Sequence, residues 1–151
     1  MSDLRFYKPK HFKVQEVVDP QTYSVWGDNS LQFMDTKLLI SIDNLWEYFN
    51  KLKPGTKVII NNWLWGGQFS FRGFRPMSYL PSQTPLSQHR HGRAVDLDVI
   101  GYTAEQVRQI IIKNYKDPAF QYITTLETKV TWVHLDVRNV DTSKGLYLVN
   151  P

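Results

Sequence analysis

Between residues 38 and 52, Leu38, Leu39, Ile42, Leu45, Phe49 and Leu52 recur at three- and four-residue spacing. That period predicts a helix with one face in the core, Asp35 or Thr36 as its cap and Pro54-Gly55 as its stop. A second helical pattern opens at Thr103, where Gln106 completes a capping box. Val107, Ile110, Ile111 and Tyr115 then face the core until Asp117-Pro118. Elsewhere the period is two. In 93–100, Ala94, Asp96 and Asp98 share one face of a predicted strand, and Val95, Leu97 and Val99 share the other. In 130–138 the same alternation sets Trp132, His134 and Asp136 against Val133, Leu135 and Val137. Residues 57–63 read as a buried strand, 120–126 as the antiparallel partner of 130–138, and 145–149 as a last strand.

Two stretches lack a period. Residues 1–34 contain turn formers such as Asp19-Pro20 and read as an irregular N-terminal arm laid over the domain. Residues 63–86 hold Gly66-Gly67, three prolines and several aromatics, and read as a long loop. Such a loop either folds over its own aromatic cluster or carries function. Arg72 and Arg75 within it could pair with carboxylates or hold an anionic group. His11, alone between Lys10 and Phe12, reads as a hydrogen-bonded surface residue. Together the patterns predict one α+β domain over residues 1–151, a small antiparallel sheet against two main helices.

Composition narrows the chemistry. A chain of 151 residues buries roughly 70% of its unfolded surface and needs no staple. With no cysteine, disulfides, thiolate zinc sites and cysteine nucleophiles are excluded, so any metal must use His, Asp or Glu. The net charge of +4 is scattered rather than blocked, which suits an anionic wall polymer as well as nucleic acid. Nucleic acid is not expected as a partner. No segment has the length of a membrane span, and the N-terminus lacks a signal core, so synthesis in a cytoplasm is expected.

The unusual feature lies in the strand at 93–100. A carboxylate on a half-buried strand is costly without a cation, donor or metal, and His89 and His91 stand just upstream of Asp96 and Asp98. The 130–138 strand presents His134 and Asp136 in the same manner. Side by side, these two faces would make either a mixed nitrogen and oxygen metal site or a satisfied polar network. Three protein ligands with an open position would make a zinc ion catalytic.

Ser87-x-His89-x-x-Gly92-x-Ala94-x-Asp96, followed by Trp132-Val133-His134-Leu135-Asp136, resembles the M15 zinc peptidases. That family includes D-Ala-D-Ala carboxypeptidases and phage L-alanyl-D-glutamate endolysins, and shares its fold with the hedgehog signalling domain. The resemblance spans about residues 36–140. Ile60-Asn61-Asn62-Trp63 and Gly66-Gly67 are similar to phage-encoded members. It implies a hedgehog/DD-peptidase-like fold, Zn2+ held by His89, Asp96 and His134, and Arg75 as the arginine that binds substrate and stabilises an oxyanion. His91 is then not a ligand and serves the substrate or the loop, while Ser87 orients a ligand or begins the turn. Many members place a glutamate three residues before the last histidine, where this chain has Thr131. Glu127 resembles the glutamate of hedgehog-like members and is the expected general base. Asp136 is the second candidate, and the alternative for both Asp136 and Asp98 is to hold neighbouring groups in place.

The implied activity is cleavage of peptide bonds in bacterial peptidoglycan, with the stem peptide as partner. Such a protein is a phage endolysin, acting at the wall after release from the host cytoplasm, or a wall hydrolase carried in the virion among other virion proteins. The alternative is a virion structural or wall-binding protein that keeps the fold, and the zinc, without turnover.

Overall fold

The computed structural model describes residues 6–82, 84 and 86–151. Three α-helices, α1 (Pro20–Trp26), α2 (Thr36–Leu52) and α3 (Ala104–Lys113), accompany five short strands. The strands are β1 (Val58–Ile59), β2 (Ala94–Val99), β3 (Thr125–Glu127), β4 (Val133–Asp136) and β5 (Tyr147–Val149). They form one sheet in the order β1-β2-β4-β3-β5. Neighbours are antiparallel except β3 and β5, which run parallel, so the sheet is mixed rather than wholly antiparallel. The chain returns to β5 through residues 137–146, long enough to carry it back before it pairs.

The two expected helices form with their expected caps. Asp35 Oδ1 accepts from the Lys37 backbone N–H at 2.8 Å, and Thr103 and Gln106 exchange bonds of 3.1 and 2.8 Å. The second helix ends at Lys113, short of Asp117, where the Asn114 side chain bonds back to the Ile110 carbonyl at 2.7 Å. Leu38, Ile42, Leu45 and Phe49 of α2 are sealed from solvent in the same core cluster as Val95 and Leu97 of β2 and Val133 and Leu135 of β4.

The strand expected over 120–126 is confined to Thr125–Glu127, after a 3-10 turn at Pro118–Phe120. Two expectations in the N-terminal half also need correction. The first concerns the arm, which contains α1. Asp19 caps it by accepting from Thr22 N–H at 3.0 Å, and Pro20 supplies the first helical residue, where a missing N–H costs nothing. Val17, Val18 and Leu31 from the same stretch are part of the core. The second concerns 57–63, where only Val58 and Ile59 pair with β2. The chain then leaves the sheet because Asn61 bonds to the arm, its N–H to Glu16 O and its Nδ2 to Val18 O, both at 3.0 Å.

Among the described residues of 63–86, the regular elements are two 3-10 turns, Trp63–Trp65 and Leu80–Ser82. The loop folds over its own rings: Phe71 stacks on Tyr79 at 4.1 Å, and the Arg72 guanidinium lies 4.2 Å from the Phe69 ring centre. His11 stacks on Trp46 and bonds to Glu47 at 3.1 Å, the surface role its context predicts.

Candidate metal centre

Register brings the centre together. In the β2/β4 pair Asp96 stands opposite His134, and Ala94 opposite Asp136. Cross-strand partners have side chains on the same face, so the two polar faces read from alternation become one. His89 arrives from a 3-10 turn, Gln88–His91, that ends in Gly92 with φ 66°. A Cβ there would lie 1.9 Å from the Phe33 carbonyl oxygen, and the Gly92 carbonyl accepts from Asp35 N–H at 2.9 Å. Only glycine meets both the left-handed backbone and the close approach.

His89, Asp96 and His134 are 4%, 7% and 4% exposed, and each offers a ligand atom within 4.8 Å of the others. Asp96 Oδ1 faces His89 Nε2 at 3.3 Å and His134 Nδ1 at 2.9 Å. The second nitrogen of each ring is already committed. His89 Nδ1 lies 2.9 Å from the Gly73 carbonyl, which only accepts, so this nitrogen carries the hydrogen. His134 Nε2 donates in the same way to Asp136 Oδ2 at 2.9 Å. Two imidazole nitrogens therefore converge on one carboxylate oxygen, and what stands between them is protons or a cation.

A borderline metal fits this donor set. Two imidazole nitrogens and one carboxylate oxygen suit zinc and its neighbours, whereas magnesium and calcium prefer all-oxygen shells. The group could hold a metal ion, and the carboxylate and carbonyl partners behind the histidines orient them as such ligands require.

The surroundings set the charge states. Burial pushes the Asp96 carboxyl up, but hydrogen bonds from His134 and His89, and their charge, outweigh it and hold Asp96 well below the usual carboxylate range. Burial pushes His134 down; its bonds to Asp136 and Asp96 and the charges of Asp96 and Glu127 reverse this and raise it to about 9. For Asp136 burial again works upward and loses to the hydrogen bonds from His134 and Arg138, leaving the carboxyl lowered.

A cleft of about 240 Å³ opens onto the centre. Glu127 lines it, with Oε2 3.8 Å from His134 Nδ1, the nitrogen that faces the convergence point. Thr131 instead lines a separate groove with Tyr102 and Arg108. Arg75 lines the cleft and donates from Nη2 to Asp96 Oδ2 at 3.1 Å and from Nε to Phe71 O at 2.8 Å. Ser87 is also on the cleft wall; its carbonyl accepts from Arg90 N–H as the turn begins. His91 is exposed on the far end of that turn and does not line the cleft. Asp98 pairs with Arg72 at 2.9 Å, away from the centre. Trp132, just before β4, is a partly exposed wall of the cleft.

Sequence reasoning missed three contributors. The Gly73 carbonyl fixes His89, and no spacing pattern marks a backbone group. Asn61 ties the arm to the loop, accepting from Arg72 N–H at 2.9 Å, while Arg72 O accepts from Asp96 N–H at 2.7 Å. Arg138, two residues beyond Asp136, clamps that carboxylate from Nε and Nη2, and its place in the alternation could have revealed it. Set against models of protein families, curated proteins and solved structures, the chain matches none of the three.

Proposed function

We propose that this chain is a zinc peptidase of the hedgehog/DD-peptidase fold type that cleaves peptide bonds of bacterial peptidoglycan. The observation that carries the reading is the convergence of His89 Nε2 and His134 Nδ1 on Asp96 Oδ1, with both outer nitrogens spent on other partners. His89, Asp96 and His134 would hold the ion, which when bound supplies Lewis acidity for water and for the peptide carbonyl.

The chain's own groups divide the remaining work. Glu127 stands beside the centre and inside the cleft, placed to take a proton from attacking water and return it to the leaving amine. Arg75 keeps Asp96 Oδ2 engaged, leaving Oδ1 to the centre, and adds positive charge where an oxyanion develops. Asp136 fixes the His134 ring with its Nδ1 inward. Trp132, Thr84, Leu86, Ser87 and Gln88 line the cleft, where they would contact the peptide on either side of the bond cut.

Zinc-loaded protein incubated with purified peptidoglycan should release free amino groups, and Glu127→Gln should lose that release while keeping its zinc. Zinc retained without any release from the unaltered chain would instead support a wall-binding or virion structural role. The absence of glutamate at Thr131 is the feature that favours this second reading.

A further inference from the structure

Residues 71–75 grip two of the three candidate ligands, and each of them twice. Arg72 O accepts from Asp96 N–H at 2.7 Å, and Arg75 Nη2 donates to the Asp96 carboxylate at 3.1 Å. Gly73 O holds His89 Nδ1 at 2.9 Å, and Arg75 N–H donates to His89 O at 3.1 Å. This strip belongs to no helix or strand, so no regular ladder fixes it. Its place depends on what anchors it from behind.

Two anchors reach it. Phe74 N–H donates to Val17 O at 2.8 Å, backbone to backbone. The other is the carboxamide of Asn61, a residue 1% exposed. Its Oδ1 accepts from Arg72 N–H at 2.9 Å while its Nδ2 donates to Val18 O at 3.0 Å. A carboxamide bridges strip and arm because it accepts and donates at once. Without it the Arg72 N–H loses its acceptor, and the strip gains a reason to move toward another. Asn61 does not line the cleft, so its effect on the centre passes through the strip.

We propose that Asn61 is a positioning residue of the metal centre: by holding the strip at Arg72, its carboxamide sets where Asp96 and His89 stand relative to each other. The inference rests on the zinc reading of the centre and does not depend on cleavage. A role confined to the fold would lower stability with no particular loss of metal affinity.

Asn50 supplies a matched control. Its carboxamide makes three backbone bonds of 3.0 Å, to Trp46 O, Thr56 O and Gly55 N–H, and these serve the end of α2 rather than the strip. Chelator competition reads zinc affinity, and thermal unfolding of the metal-free protein reads stability. Asn61→Ala should bind zinc about ten-fold more weakly than the unaltered chain. Asn50→Ala should keep the unaltered affinity whatever it loses in melting temperature. A second measurement needs no variant and decides the matter if Asn61→Ala fails to fold. Coupling is reciprocal, so zinc added to the unaltered chain should slow hydrogen exchange of the Arg72 and Asp96 amides together, about ten-fold more than that of the Gly55 amide. Equal affinity losses in the two alanine variants, no loss in Asn61→Ala, or an Arg72 amide slowed no more than that of Gly55 would overturn the proposal. Those results sink only the role of Asn61, whereas an unaltered chain that binds zinc and releases nothing from peptidoglycan sinks the peptidase reading alone. An unaltered chain that takes up no zinc overturns both.

Discussion

His134 Nε2 and Asp136 Oδ2 lie 2.9 Å apart on one face of β4, with Asp136 at 0% exposure. The buried carboxylate sets the ring's tautomer and makes its inward nitrogen more basic. Asp136→Asn keeps an acceptor but loses the charge and the partner of Arg138. Its zinc affinity, measured by chelator competition, should fall about 10- to 100-fold. Unchanged affinity would mean that Asp136 serves the fold and not the centre.

Protons and metal compete for His134. Without metal, its pKa is raised from 6.5 to about 9: burial opposes the shift, and the bonds to Asp136 and Asp96 overcome it. A raised folded value means that the protonated ring stabilises the metal-free fold fully below pH 6.5, and that this stabilisation is lost as pH rises through about 9. Zinc takes the place of the inward proton. Its uptake by metal-free protein should release about one proton per ion between these limits and tighten as pH rises toward 9. Calorimetry in buffers of different ionisation heat reads the proton count; an affinity flat across that window contradicts the assignment.

Gly73 joins the arm to the centre. A Cβ on it would stand 2.2 Å from the Val17 carbonyl oxygen, a backbone atom held in place because Val17 O accepts from Phe74 N–H at 2.8 Å. Gly73→Ala should destabilise the fold by about 1–3 kcal/mol, as overpacking does, and should weaken zinc binding through the lost His89 bond. Thermal unfolding with and without zinc separates the two effects. A variant with unaltered melting and zinc affinity would show that the arm does not position the turn.

Glu127 is judged by a substitution that preserves shape. Glu127→Gln removes a proton acceptor near the centre and should lower peptidoglycan cleavage about 10²- to 10⁴-fold while the zinc content holds. Cleavage at the original rate would move the base elsewhere.

Much of this arrangement was legible before any coordinates. Alternation placed Asp96 on one strand face and His134 and Asp136 on another, and pairing of β2 with β4 made those faces one. The helix at 36–52 was readable because its apolar period and its Asp35 cap agree. Other features rest on tertiary contacts that leave little trace in local pattern. The helix at Pro20 was hidden by its own punctuation, since Asp19-Pro20 signals a turn as readily as a capped helix start. The early end of β1 depends on bonds from Asn61 to Glu16 and Val18, far away in sequence. Parallel pairing of β5 with β3 depends on how the chain returns, and its own apolar run is the same for either direction.

Metal analysis of the purified chain tests the central claim most directly. Elemental mass spectrometry should find about one zinc per chain in the native protein and almost none in His134→Ala, which removes one of the three converging ligand atoms. A folded native chain that carries no zinc, and takes up none when it is supplied, would contradict the account and leave His89, Asp96 and His134 as a proton-bridged polar network.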